Sequence, residues 1–298
     1  FTVSIDDRLK KHGSNIVFNS RQDARIKSIS NYNLKYYFGK KYLFFKKVKK
    51  KKFKNDKIQK ILIHAGGGDS YFKNSEFFSA VFSFLENTKI DIDILCTKKK
   101  IKTKLIKSNK FFLLNKKQIK FINFNNNFKN KLKIYDVIIG PAGTTTYEAL
   151  FAGTLSISFP LVNDGRDSII SWNLIGNFLH LTYRESKDKK IIRELLNFVF
   201  CEYKYLNKNY FKNSKNISSG EKNIVNEIKK NLKGKLDKKK NFNNEKFVIK
   251  KANYSHSRLF LIGRNQKKVR SVSSNPQHII SWTEHLNWWK NSEIKKFV

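Results

Sequence analysis

Three consecutive threonines follow a glycine after an apolar run, and this combination is suited to binding phosphate. The apolar run covers residues 135–141 and leads into a Gly-Thr-Thr-Thr sequence at residues 143–146. A strand, a glycine turn and a helix start place free backbone N–H groups at the positive end of a helix dipole. Glu148 follows on the predicted helix, where its carboxylate could accept hydrogen bonds from a ribose diol. The alternative is an ordinary strand-to-helix turn with Thr144 as the N-cap.

A second glycine-containing loop occurs earlier in the chain. Residues 60–63 form a short apolar run, followed by His64, Ala65, three glycines and Asp69, and then by an apolar-rich predicted helix over 75–86. The loop has neither the dinucleotide-binding glycine pattern nor the lysine of a P-loop. Because parallel sheets bind ligands at the carboxyl ends of their strands, two such loops predict a shared crevice. His64 could face a ligand there, but we interpret it as a structural histidine.

Between residues 60 and 200 the pattern alternates between strands and helices, which is typical of a doubly wound α/β fold. The pattern predicts strands near 60–63, 90–95, 119–123, 134–139 and 155–159, and helices over 75–86, 144–152, 167–178 and 189–200. Residues 205–245 are rich in Lys, Asn and Ser and contain one predicted helix near 221–232. We therefore expect a Rossmann-like domain with a parallel sheet, closed by a helix and a linker.

The net charge of +39 raises the possibility of a lysine-rich nucleic-acid-binding protein. Of the 62 basic residues only 9 are arginine, although arginine is the usual residue for bidentate phosphate or base contacts. Lys, Asn, Ile and Phe share A+T-rich codons, so coding bias accounts for much of the excess. The lysine runs at 49–52, 98–100 and 238–240 are predicted to be solvated loops. We expect no specific nucleic-acid partner.

The chain termini, the apolar runs and the cysteines indicate the class of protein. The chain begins at Phe1, contains no methionine and opens on what resembles the end of a buried strand, so we expect a fragment of a longer protein. No apolar run is long enough for membrane insertion, and a cytoplasmic protein is expected. Cys96 and Cys201 have no neighbour at metal-ligand spacing, so we expect reduced thiols and no metal site. The oligomeric state is not predicted.

The two loops together resemble the carboxyl half of the UDP-sugar hydrolases of pseudaminic acid biosynthesis, which are relatives of GT-B glycosyltransferases. The resemblance is carried by residues 63–69 and 140–148 and covers about residues 1–205. That family hydrolyses a UDP-linked 2,4-diacetamido-trideoxy sugar at the anomeric carbon, between two Rossmann-like domains. It implies the carboxyl half of a GT-B fold, with a UDP-sugar as substrate and no cofactor for the hydrolase part.

The resemblance also implies roles for individual residues. Gly67 and Asp69 would line the cleft, Gly143, Thr144 and Thr145 would contact the diphosphate, and Glu148 would bind the ribose. The family's catalytic histidine belongs to a glycine-rich loop near the start of its first domain. These residues contain no such loop, so the catalytic residues stay unassigned and the chain is expected to carry mainly the UDP-binding half.

One segment departs from the family. After the strand 154–159 the family has a short segment ending in Asn-Gln, whereas this chain has the sequence Leu-Val-Asn-Asp-Gly-Arg-Asp at 161–167. Arg166 is a possible diphosphate clamp, or it could pair at the surface with Asp164 or Asp167. A GT-B glycosyltransferase that uses a UDP-sugar donor is therefore the alternative function.

The last part of the chain resembles the opening of GNAT acetyltransferases that modify amino-sugar nucleotides. The resemblance is carried by residues 247–252, 263–265, 269–270 and 280–288, the last of which predict a capped amphipathic helix. The alternative is a helical extension whose tryptophans simply pack. The acetyl-CoA loop of a complete GNAT domain would come later, so acetyl transfer by this chain is not expected.

These interpretations divide the chain into four parts. Residues 1–58 are predicted to be the end of a first GT-B domain with a connector, and 59–205 the UDP-binding domain. Residues 206–245 are predicted to be a closing helix and linker, and 246–298 the truncated start of an α+β GNAT domain.

Overall fold

Two parallel sheets organise the chain. The computed structural model describes residues 1–5, 13–20, 35–45, 48–50, 56–67, 72, 76–108, 111–112, 115, 117–125, 128–161, 169–215, 217–232, 257–265 and 277–291. The smaller sheet contains β1 (Val3–Ile5), β2 (Ile16–Asn19) and β3 (Lys35–Phe38), paired in parallel in that order. Only the first of these strands was predicted from the sequence.

The larger sheet has five parallel strands in the order β6-β5-β4-β7-β8. The strands are β4 (Lys60–His64), β5 (Asp91–Leu95), β6 (Ile119–Ile122), β7 (Val137–Pro141) and β8 (Leu155–Phe159). Every residue of β7 and β8 is buried, as expected of strands covered by helices on both faces. The predicted α/β class with a parallel sheet is confirmed.

Helices follow the strands as the doubly wound pattern requires. They are α1 (Glu76–Leu85), α2 (Lys99–Ser108), α3 (Phe128–Lys131), α4 (Thr144–Ala152), α5 (Ile169–Leu174), α6 (Lys189–Cys201) and α7 (Tyr203–Ser214). Two predictions were wrong here. The lysines at 99 and 100 begin α2, whose Ile101 and Leu105 are buried, and the segment after 205 continues a helix.

The predicted helix near 221–232 is α8 (Glu221–Leu232), and it packs on the smaller sheet. Ile224 joins a core cluster with Ile16, Phe18 and Tyr42. The segment that precedes α8 contacts the chain that follows β3, because the Gly220 N–H donates to the Leu43 carbonyl over 2.6 Å. The end of the larger domain therefore returns to cover the smaller sheet.

Two further helices, α9 (Ser257–Asn265) and α10 (Trp282–Asn291), occupy the last described part of the chain. The Glu284 N–H donates to Ser281 Oγ over 3.1 Å, which confirms the predicted cap of α10. Leu261, Trp282 and Leu286 belong to the same hydrophobic core as the larger sheet. The predicted strand at 246–252 lies outside the described residues, and the four-part domain division stays a prediction. None of the described helices combines the length and apolar character needed to cross a bilayer.

Candidate functional site

A cavity of about 520 Å³ opens at the carboxyl ends of β4 and β7. These strands are neighbours, although β5 and β6 separate them in the sequence. The chain first runs from β4 outward to β6 and then returns to β7 and β8 on the other side. This reversal creates a crevice between two diverging loops, the usual ligand position in open α/β sheets.

The starts of these two strands are held in register by a buried carboxylate. Asp136, immediately before β7, accepts the backbone N–H groups of Gln59 and Lys60 over 2.8 and 2.9 Å. The Tyr203 hydroxyl on α7 donates to the other carboxylate oxygen over 3.0 Å. The two loops at the opposite ends of β4 and β7 therefore start from strands fixed to each other.

The first loop, after β4, turns sharply beside the second. Gly66 has a φ of 72°, in the left-handed region that favours glycine. A Cβ atom at Gly66 would lie 3.1 Å from Pro141 Cγ at the end of β7, a tight contact that also favours glycine. Gly66 and Gly67 both line the cavity.

The second loop presents the start of α4 to the same cavity. Gly143, rather than Thr144, is the N-cap, and its N–H donates to Thr146 Oγ1 over 3.3 Å. A glycine cap has no side chain to accept hydrogen bonds from the first-turn amides. Thr144 is exposed and Thr145 half-buried, and both line the cavity. The helix start therefore offers amide and hydroxyl donors to an anion.

The structure brings together four of the residues predicted for the site, namely Gly67, Gly143, Thr144 and Thr145. Asp69 and Arg166 lie outside the described residues. Glu148 is 2% exposed and is not among the described residues that line the cavity. Its Oε1 lies 2.6 Å from Lys129 Nζ, so a ribose at this carboxylate would share it with the ammonium group. The roles of all these residues stay predictions.

The cavity wall at the ends of the neighbouring strands was not predicted from the sequence. Leu95 ends β5 and Thr97 follows it, Phe124 follows β6, and Phe128 begins α3. Phe124 is 55% exposed, and its ring packs against that of Phe128 with the centroids 5.4 Å apart. The rule that indicated the two glycine-containing loops, the carboxyl ends of parallel strands, also applied to the ends of β5 and β6.

His64 is the only titratable side chain among the described residues that line the cavity. It is 3% exposed, and burial lowers the pKa of its imidazole from 6.5 to about 4. The ring is therefore neutral at physiological pH. The Gly66 N–H donates to His64 Nδ1 over 3.2 Å, which agrees in part with its predicted structural role. The described lining thus consists of neutral donors and apolar walls.

Comparisons with known proteins support the fold. No protein-family model matches the chain, and no curated protein sequence matches it. The solved structure of TarM is 12% identical and aligns over 72% of this chain and 43% of TarM, with a TM-score of 0.50. MurG of Acinetobacter baumannii is 13% identical over 73% of this chain and 61% of MurG, with a TM-score of 0.48. The pneumococcal O-GlcNAc transferase GtfA, solved with UDP and GlcNAc, is 15% identical over 76% of this chain and 46% of GtfA, with a TM-score of 0.48.

The chain thus spans about half the length of these proteins. At 12% identity, the likeness to TarM concerns the fold alone. This likeness in fold is consistent with the five-stranded parallel sheet and with a cavity where the strand order reverses. The chain has the GT-B glycosyltransferase fold that was predicted, while the pseudaminic-type hydrolase and the GNAT domain stay predictions.

Proposed function

We propose that this chain carries the UDP-binding half of a GT-B enzyme that acts on a UDP-sugar. The observation that supports the proposal best is the meeting of the Gly66–Gly67 loop with the start of α4 in one cavity. The Gly67 amide and the amides and hydroxyls at the start of α4 can donate to a diphosphate without any cation on the described lining. A diphosphate would lie against Gly143, Thr144 and Thr145.

The apolar wall suits the nucleoside part of the ligand. Phe124 exposes its ring at the cavity, and an aromatic face can stack a nucleobase with a gain of about 1–3 kcal/mol. Glu148 remains the proposed ribose acceptor, and Lys129 Nζ lies 2.6 Å from its Oε1. The specificity for uracil belongs to the proposal and rests on the resemblance of the two loops to UDP-sugar enzymes.

Two reactions fit a UDP-sugar bound in this way. In both, the bond between the anomeric carbon and the β-phosphate oxygen breaks and UDP leaves with the bonding electrons. In glycosyl transfer an acceptor hydroxyl attacks the anomeric carbon and loses its proton, whereas in hydrolysis the attacking oxygen comes from water. We place glycosyl transfer first, because the fold that this chain shares with TarM is the predicted GT-B glycosyltransferase fold. Hydrolysis of a pseudaminic-type sugar is the second candidate, from the sequence resemblance.

The nucleotide proposal is tested by calorimetry with UDP, using UMP, ADP and a short DNA duplex as competitors at about physiological salt. We expect UDP to bind most tightly. Thr145→Val should weaken binding roughly tenfold by removing a hydrogen bond to a charged group, whereas the exposed helix residue Thr103, as Thr103→Val, should change nothing. Equal, steeply salt-dependent binding of all polyanions would contradict the proposal and favour a lysine-rich nucleic-acid binder.

The two reactions are separated by supplying a UDP-sugar in ¹⁸O-labelled water. Hydrolysis places the label in the anomeric hydroxyl of the free sugar, whereas transfer to an acceptor hydroxyl leaves the label in the solvent.

We also propose that the last helices begin a GNAT acetyltransferase domain. The proposal is supported by the capped helix α10, which matches the predicted motif. Arg264 NH1 lies 3.3 Å from His285 Nδ1, and its guanidinium covers the Trp288 ring at 4.8 Å, so residues from two segments of the motif pack together. We expect no acetyl-CoA binding by this chain, and a longer chain that binds acetyl-CoA would support the domain.

A further inference from the structure

His64 occupies a position in the cavity that the predicted structural role does not explain. It is the last residue of β4 and lies next to the first glycine-containing loop. Its side chain is 3% exposed and lines the cavity. We propose that His64 is a ligand-binding residue whose Nε2–H donates a hydrogen bond to the phosphate groups of the bound nucleotide.

The tautomer follows from the hydrogen bond at the other nitrogen. Nδ1 accepts the Gly66 N–H over 3.2 Å, so it carries no proton in the neutral ring. The proton of the neutral imidazole is therefore on Nε2. Burial keeps the pKa of the ring near 4, so this tautomer is the form present at physiological pH.

The Nε2–H group has no hydrogen-bond acceptor among the described residues. The His64 side chain is 3% exposed and lines the cavity, so a ligand or water in the cavity satisfies this donor. Gly67 and the start of α4 line the same space and offer further donors. A group that accepts from all of these at once is an anion with several oxygens, and a phosphate fits that description.

The position of the ring depends on a glycine in the adjacent strand. A Cβ atom at Gly140 would lie 2.4 Å from Nε2 and 2.5 Å from Cδ2 of His64, so the ring lies flat against the backbone of β7. This contact fixes the ring between the two loops. A neutral imidazole held in this way donates to an anion without the cost of burying a second charge.

This inference rests on the proposed nucleotide function, and two amide substitutions separate it from a purely structural role. His64→Gln retains a donor near the position of Nε2 and lacks the acceptor near Nδ1. His64→Asn retains an acceptor near Nδ1 and lacks the donor. A ligand-binding role therefore predicts retention with Gln and loss with Asn, whereas a role in holding Gly66 predicts the opposite.

The experiment measures UDP and uridine binding to the wild-type chain and both variants by calorimetry. We expect His64→Asn to weaken UDP binding roughly tenfold with uridine unchanged, and His64→Gln to stay within about threefold of wild type. Wild-type affinity in His64→Asn, or an equal loss in both variants, would overturn the inference while leaving the nucleotide site intact. Failure of the wild-type chain to bind UDP would instead overturn the proposed function and this inference together.

A measurement on the wild-type chain does not depend on the variants folding. The ¹⁵N resonances of the His64 ring report its tautomer, and addition of UDP should shift the Nε2–H proton downfield while the Nδ1 resonance stays nearly constant. An unchanged Nε2–H resonance at saturating UDP would overturn the inference.

Discussion

Gly140→Ala introduces a single methyl group at the point where β7 meets the His64 ring. The new Cβ atom would lie 2.4, 2.5 and 2.6 Å from three ring atoms of His64, all far inside van der Waals contact. Both residues belong to neighbouring strands in the core, so the backbone has little freedom to move apart. The ring must therefore rotate away.

The expected cost has two parts. Overpacking of a close-packed interior costs about 1–3 kcal/mol. Rotation of the ring also breaks the hydrogen bond from the Gly66 N–H to Nδ1, which is worth about 1 kcal/mol. The free energy of unfolding should therefore fall by roughly 2–4 kcal/mol, and Tm by about 5–15 °C.

Urea unfolding followed by circular dichroism measures this loss. Gly13→Ala is the matched control, because Gly13 is exposed, lies outside any helix, and a Cβ atom there has no neighbour within 4 Å. A second test shortens the His64 side chain, which the new methyl group would contact. In a His64→Asn background, Gly140→Ala should lower the free energy of unfolding by at most half as much as in the wild-type background. A Gly140→Ala protein within about 0.5 kcal/mol of wild type would refute the reasoning, since surface-like tolerance is incompatible with the packing described.

Two further predictions concern the pH dependence of stability and the contact between α8 and the smaller sheet. The pKa of His64 is about 4 in the folded state and 6.5 in the unfolded state, so the unfolded state binds more protons between these pH values. The free energy of unfolding therefore has its full value above pH 6.5 and decreases as the pH falls towards 4. The decrease in the free energy of unfolding is about 3 kcal/mol. Urea titrations at several pH values should show this decrease in the wild-type chain and not in His64→Gln. The same pH dependence of stability in both proteins would contradict the assignment. Gly220→Ala should detach α8 from the smaller sheet, because its Cβ atom would lie 2.4 Å from the Lys41 carbonyl oxygen and 2.5 Å from Tyr42 Cα. Hydrogen exchange should then speed up in α8 and not in α4, while Gly263→Ala, where a Cβ atom meets nothing within 4 Å, should leave both helices protected.

Some elements could be predicted from the sequence to the residue. The helix Thr144–Ala152 and the strand Leu155–Phe159 coincide with their predicted ranges. The ends of the helix are set by local sequence, because Gly143 precedes it and Gly153, with a φ of 81°, ends it. The predicted helix 167–178 is shorter, as α5 ends at Leu174 and Gly176 adopts a φ of 99°.

Other elements were missed because their signals are weak in isolation. In α2 the apolar side chains Ile101 and Leu105 are separated by lysines, and the lysine run at its start resembled a solvated loop. The short strands β2 and β3 become recognisable as parts of a sheet only when α8, almost 200 residues later, covers them. Pairing over such distances is decided by tertiary contacts rather than by local preference.

The sequence by itself determined the chemistry of the site, because the glycines, the threonines and their place after apolar runs specify two strand ends with free amides. The tertiary structure decided which loops meet. Only the strand order places β4 beside β7, brings Phe124 to the same cavity and lays the His64 ring against Gly140. Strand order depends on the packing of the whole sheet, and no residue encodes its neighbour in another strand.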